Sequence, residues 1–282
     1  MGVMRIDSHQ HFWELSRGDY SWLKPVGDFK RIYKDYMPEQ LVSHLKEHNI
    51  DKTILVQAAP TVEETDYMFE IYEKNDFIAG VVGWLDMASD EFPELYEEYK
   101  RKKGFIGIRP MLQDIEDERW ILRDDVLKNV ELLVEDDFPL DILINPKHLD
   151  AIIELFKIFP PLRGVIDHLG KPYIKSGIVK PWDEKISEIA SNENVWCKLA
   201  GIITEDDYDN WKISNFTPYI NHCIDVFGKD KVMFGSDWPV CLLAGSYNDV
   251  YRSLIENVSL TEKEKKDLFG NNAIEFYKLN IE

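Results

Sequence analysis

The sequence predicts a single (β/α)8 barrel spanning residues 1–282. Three observations predict it. Eight short apolar runs recur along the chain, several nearly continuous in Val, Ile, Leu and Phe, as strands covered on both faces are. Helix-like stretches separate them, so strand and helix alternate. No G-x-G-x-x-G turn follows the first run and no G-x-x-x-x-G-K-[ST] occurs, which weighs against an open nucleotide-binding sheet.

The first strand is expected near 4–8, out of an apolar run from Val3 to Ile6. A helix opening near Pro38 and carrying Leu41, Leu45 and His48 follows, proline being suited to a first turn. The second run, 53–57, leads to a helix over 63–75, and the third, 78–84, to one over 90–102. The fourth, 105–109, and fifth, 139–144, precede helices over 121–135 and 147–158. The sixth, 164–167, and seventh, 195–199, precede helices over 183–191 and 215–227. The eighth, 232–236, leads to a closing helix over 261–278. No internal repeat or low-complexity linker interrupts the alternation, so one domain suffices.

Composition narrows the function classes. At 44% apolar residues the chain is globular. No apolar stretch approaches the roughly 20 residues of a spanning helix. The start of the chain lacks a basic-then-apolar signal segment, which points to the cytoplasm. Cys197, Cys223 and Cys241 are odd in number and far apart, so neither a disulfide scaffold nor a zinc knuckle is expected. The formal charge of -19 repels nucleic acid and anionic membranes. A small-molecule substrate is the expected partner, with a homodimer left open.

In such a barrel, chemistry collects at the C-terminal ends of the strands. Polar residues fall there. His9 and His11 close the first run, two apart and therefore on one face of a strand. Gln57 ends the second and Arg109 the fourth; Asn145, Lys147 and His148 follow the fifth. His168 ends the sixth, Lys198 lies in the seventh, and Asp237 ends the eighth. His9, His11, His168 and Asp237 together offer imidazole nitrogens and a carboxylate oxygen, a set that suits zinc or another borderline divalent ion. Asp237 is alternatively the base that takes a proton from the attacking water.

Asp7-Ser8-His9-Gln10-His11-Phe12-Trp13 resembles the opening of the amidohydrolase superfamily, in its sugar-lactone hydrolase branch. Ile166-Asp167-His168-Leu169-Gly170-Lys171-Pro172 resembles that branch's sixth-strand motif, and Met233-Phe234-Gly235-Ser236-Asp237-Trp238-Pro239 its eighth-strand motif. Gly107-Ile108-Arg109, Lys198-Leu199-Ala200-Gly201 and the tail from Gly270 to Tyr277 match weaker ones. The likeness spans nearly the whole chain. It implies a (β/α)8 barrel with a first-strand His pair, a sixth-strand His and an eighth-strand Asp. One departure stands out: binuclear members hold two metals with a bridging lysine at the fourth strand end, where this chain has Arg109. The resemblance therefore implies one divalent ion, zinc the leading fit, or none, since metal-independent hydrolysis occurs in the lactonase branch.

Lactone hydrolysis needs a water nucleophile, a base, and help for the carbonyl oxygen as charge develops. Asp237 is the expected base; metal or the histidines polarise the carbonyl. Arg109 offers a rigid fork of donors for a carboxylate or sugar oxygen. Gln57, His148 and Lys198 are further candidate substrate contacts, with a structural hydrogen bond the alternative for Gln57 and an internal bridge the alternative for Lys198. Trp13 and Trp22, in an aromatic-rich loop, offer rings on which the C–H face of a sugar can rest. The G-x-S-x-G elbow of a covalent serine mechanism is absent, and Ser236 reads as positioning Asp237. The rival reading is a non-oxidative decarboxylase of a related amidohydrolase branch, with Arg109 or a lysine holding the substrate carboxylate.

Overall fold

The computed structural model describes residues 4–280, so residues 1–3, Val3 of the first apolar run among them, and 281–282 of the expected domain lie outside the described residues. Eight strands form one parallel sheet in sequence order: β1 (Ile6–Gln10), β2 (Lys52–Val56), β3 (Ile78–Gly83), β4 (Phe105–Ile108), β5 (Leu140–Ile142), β6 (Gly164–Ile166), β7 (Val195–Ala200) and β8 (Val232–Gly235). β8 returns to β1 through a bridge between Gln10 and Trp238. That contact draws the sheet into a nearly closed barrel, as expected.

The helices between strands are α1 (Pro38–Glu47), α2 (Val62–Lys74), α3 (Phe92–Tyr99), α4 (Asp124–Glu135), α5 (Leu149–Ile158), α6 (Trp182–Ala190) and α7 (Ile213–Phe227). Each keeps an apolar stripe against the sheet; α5 buries Leu149, Ile152, Ile153 and Phe156, a helical spacing. After β8 the chain departs from expectation. An additional helix, α8 (Tyr247–Ile255), precedes the tail, capped by Ser246 and burying Tyr247, Val250 and Leu254. The expected closing helix is interrupted: α9 (Glu262–Lys266) runs through a wider π-type turn, Asp267–Asn271, into α10 (Asn272–Tyr277).

That tail closes the end of the barrel where the strands begin. The Asn272 amide donates to the carbonyl of Val232, and Arg163 donates to that of Phe276. Phe276 and Tyr277 pack with Ile6, Ile54, Val82, Val165 and Met233 from five strands. Among the described residues no helix is long and apolar enough to cross a membrane.

Candidate active site

Chemistry-bearing side chains gather where the strands end. β1 is buried along its whole length, which is unusual for the sequence Asp7-Ser8-His9-Gln10 and demands partners for each polar group. Asp7 accepts the Ser236 N–H at 2.8 Å and the Tyr247 hydroxyl at 3.0 Å. Burial pushes its pKa up to about 6 against those hydrogen bonds. The Ser8 hydroxyl donates to the Phe234 carbonyl. These bonds stitch β1 to β8 and fix the backbone that carries His9 and His11.

The turn after β8 is clamped between those two histidines. The Asp237 N–H donates to the His9 carbonyl, and the His11 N–H to the Trp238 carbonyl, at 2.8 and 2.7 Å. The Ser236 hydroxyl accepts the Trp238 N–H across the turn. Asp237 adopts φ of 54° and His168 φ of 52°, left-handed conformations that cost a non-glycine residue on the order of 1–3 kcal/mol and persist where surroundings enforce them. Two glycines make room. A Cβ on Gly201, itself at positive φ, would lie 2.6 Å from the Asp237 side chain, and one on Gly235 would lie 2.7 Å from Cβ of His9.

The result is a compact cluster. The His9 ring centre lies 5.0 Å from that of His11 and 4.6 Å from that of His168. Oδ1 of Asp237 is 3.2 Å from Nε2 of His11 and 3.7 Å from Nε2 of His9. His9, His168 and Asp237 each bring a ligand atom within 4.8 Å of the others. Backbone carbonyls orient two of the rings. Nδ1 of His11 lies 2.7 Å from the Val56 carbonyl, and Nδ1 of His168 lies 3.2 Å from that of Ala200. A carbonyl only accepts, so Nδ1 carries a proton in both, and Nε2 is the nitrogen turned toward the site. In His11 that nitrogen faces the Asp237 carboxylate, an arrangement satisfied by a shared cation or proton. This donor set fits a divalent metal ion.

Charge states follow from burial and neighbours. Burial drives His9 well below the ordinary imidazole value, with the Lys198 and His168 charges adding and Asp167 opposing. Burial also takes His168 down to about 4, with Lys171 and Arg109 adding and Asp237 and Asp167 opposing. Burial opposes ionisation of Asp237. His168, a His11 hydrogen bond and His9 outweigh it and hold the carboxyl well below the usual range. At neutral pH His9 and His168 are thus neutral beside the ionised Asp237 carboxylate.

Beneath the cluster lies a buried ionic layer. The Lys198 ammonium pairs with Asp141 and lies 3.2 Å from both Oδ1 of Asp167 and Nδ1 of His9. Arg109 donates to Oδ2 of Asp167 at 3.2 Å and to the Gln57 carbonyl. Tyr277 of α10 donates its hydroxyl to Asp141. Asp141 and Asp167 were not singled out in the sequence, although Asp167 stands inside the sixth-strand motif.

Above the cluster opens a cavity of about 280 Å³ whose lining includes His11, Arg109, His168, Asp237 and Trp22. Lys171 and Glu205, 3.8 Å apart, also line it and were missed by sequence reasoning. Burial raises the Glu205 carboxyl, Asp237 adds to the rise, and Lys171 opposes it. Lys171 lay within a recognised motif; Glu205 sits in a loop after β7 that carries no periodic signal.

Four expected substrate contacts, Trp13, Gln57, His148 and Lys198, do not line the cavity. Trp13 is fully buried, donates its ring N–H to the Lys34 carbonyl, and packs edge-on against Trp22. Gln57 donates to the Arg109 carbonyl. His148 accepts the Asn145 N–H through Nδ1 and so closes the capping box of the short 3-10 turn, Pro146–His148, that leads into α5. Lys198 is enclosed in the ionic layer. His9 also lies beneath the cavity wall and reaches the site through its contacts with His11, His168 and Asp237.

Residues 6–279 match the family model for amidohydrolases. The chain belongs to the amidohydrolase family. An L-fucono-1,5-lactonase of Burkholderia ambifaria is 37% identical over 284 residues, covering 99% of this chain and 97% of that protein. An L-fucono-1,5-lactonase of Burkholderia multivorans is 33% identical over 292 residues, covering 99% and 97%. A crystal structure of an amidohydrolase from Burkholderia multivorans with bound zinc superposes with a TM-score of 0.92 at 31% identity, covering 98% of this chain and 99% of that one.

Proposed function

We propose that this amidohydrolase opens the lactone ring of a sugar acid, an aldono-1,5- or 1,4-lactone, releasing the aldonic acid. The observation that carries the reading is Asp237: an ionised carboxylate, held rigidly among three histidines, in a cavity whose size suits a single sugar ring. The lactonase relatives, aligned over nearly the whole chain, supply the substrate class.

Asp237 accepts a proton from the attacking water. The water oxygen bonds to the lactone carbonyl carbon, the ring C–O bond breaks, and the proton passes to the departing ring oxygen. Arg109 offers a donor toward a substrate oxygen from the cavity lining. His9, His11, His168 and Asp237 would hold one divalent ion, with zinc favoured by the zinc-bound relative. When bound, that ion supplies Lewis-acid polarisation of the lactone carbonyl. The decarboxylase reading is set aside, because the two relatives at 37% and 33% identity over nearly the whole chain are lactonases.

The test is proton release at neutral pH from a panel of aldono-1,4- and 1,5-lactones, L-fucono-1,5-lactone among them. Turnover of at least one lactone above the buffer rate is expected. Hydrolysis of none, or carbon dioxide release from an aromatic acid in its place, would overturn the reading.

A further inference from the structure

A second cleft of about 760 Å³ adjoins the 280 Å³ cavity. The two share a wall made of Trp22, Met111 and Asp114. The larger cleft adds Trp84, Trp120 and Asp86. Resting on the lactone reading above, we propose that this cleft is a second sugar subsite, taking a neutral glycosyl group attached to the lactone.

Three features of the cleft carry this. Three indoles, each only partly buried, line it. Indole faces are large, rigid surfaces with little rotamer entropy to lose, and the C–H faces of a pyranose rest against them. Second, its charged lining residues are Asp86 and Asp114. Carboxylates accept strong hydrogen bonds from hydroxyl groups. One Asp86 oxygen already accepts the Ala88 N–H, which holds the side chain in place while the other oxygen remains for a ligand. With no Lys, Arg or His among the described lining residues, the cleft disfavours a phosphate or a uronate.

Third, the aromatic walls are held before any ligand arrives. The Trp22 ring N–H donates to the Ala58 carbonyl at 2.7 Å, and Trp13 packs edge-on against the Trp22 ring. The Trp84 backbone is bound on both sides by one hydroxyl: Thr65 Oγ1 accepts the Trp84 N–H and donates to the Trp84 carbonyl, both at 2.9 Å. Rigid walls lower the ordering cost of binding. Because Trp22 faces both spaces, a ring seated in the cavity has its neighbour directed into the cleft.

The experiment compares the best-hydrolysed lactone with derivatives carrying a β-D-galactosyl, a β-D-glucuronosyl or a phenyl group at each free hydroxyl in turn. At least one galactosyl isomer is expected to show KM lowered about tenfold, equivalent to roughly 1.4 kcal/mol. Trp84→Ala and Trp120→Ala should each remove that gain and leave turnover of the unsubstituted lactone unchanged; Trp120→Phe should restore part of it. Circular dichroism confirms folding of each variant. A gain that survives both alanine variants, a galactosyl group that never helps, or equal help from phenyl or glucuronosyl would overturn the proposal. Saturation-transfer NMR with methyl β-D-galactoside reads the cleft without catalysis, so it decides even if every lactone is inert. Transfer lost in Trp120→Ala supports the subsite, and absence of transfer to the wild-type protein overturns it.

Discussion

Nη1 of Arg109 lies 3.3 Å from Nε2 of His9, and Nζ of Lys198 lies 3.2 Å from Nδ1 of the same ring. A buried imidazole is thus held between two cations; burial chiefly keeps it neutral, and the Lys198 charge adds to that. Arg109 does this from the end of β4, where binuclear amidohydrolases carry a bridging lysine. Its fork also reaches Asp167 and the Gln57 carbonyl. A single ammonium cannot span those three directions. Arg109→Lys should therefore lower kcat/KM for the lactone by about 10- to 100-fold, or roughly 1.4–2.7 kcal/mol of barrier. Steady-state kinetics check this; an unaltered kcat/KM would show that the fork is immaterial.

Lys198 compensates two buried carboxylates, Asp141 and Asp167. Lys198→Met leaves them facing each other without a cation between them. Breaking a buried pair from one side typically costs about 3–5 kcal/mol. Urea unfolding at neutral pH should show a loss of that order, and Asp141→Asn on the same background should recover part of it. Unfolding midpoints within error of wild type would contradict the assignment.

Lys198 also limits the metal content. His9, Asp141 and Asp167 have the spacing of a second cation site, but the ammonium already stands among them. At most one divalent ion per chain is expected. Elemental analysis giving two tightly held ions would contradict this. Replacing His9 and His11 together should abolish high-affinity binding of zinc in a competition titration.

Much of this was legible in the sequence because barrel strands are covered on both faces and read as apolar runs. The eight runs locate the eight strands to within about two residues. The rim cluster was legible for a related reason. A strand end is rigid, so His9, Arg109 and Asp237 could be placed by counting from an apolar run. Gln57 and Lys198 sit in equally legible positions, but direction and depth decide their role, and sequence carries neither. Trp13 and Trp22 are nine residues apart in one loop; only packing separates the buried ring from the one at the cavity. Helix α8 was missed although Tyr247, Val250 and Leu254 have helical spacing, because its charged exposed face and its closeness to the motif of β8 masked the pattern.

Glu64 gives a pH prediction remote from the cluster. It is fully buried on α2 and accepts the N–H groups of Ala58 and Ala59, fixing the loop that carries Ala58 to the cavity. Burial raises its pKa to about 8, against those backbone hydrogen bonds. The folded protein then holds a proton that the unfolded chain releases near the ordinary carboxyl value. Its contribution to stability is full below pH ~4.5 and is lost as pH rises toward ~8. Melting curves across that window should fall more steeply for wild type than for Glu64→Gln. Parallel profiles would show that Glu64 is not the titrating group.

The role of Asp237 is decided by kcat/KM of Asp237→Asn against wild type, both loaded with metal, on the lactone that wild type hydrolyses best. Asparagine keeps the shape of the side chain and cannot take the proton from water. A fall of about 10²–10⁴ is predicted, the usual worth of general-base assistance, with the fold intact by circular dichroism. Activity close to wild type in the metal-loaded variant would show that Asp237 is not the base.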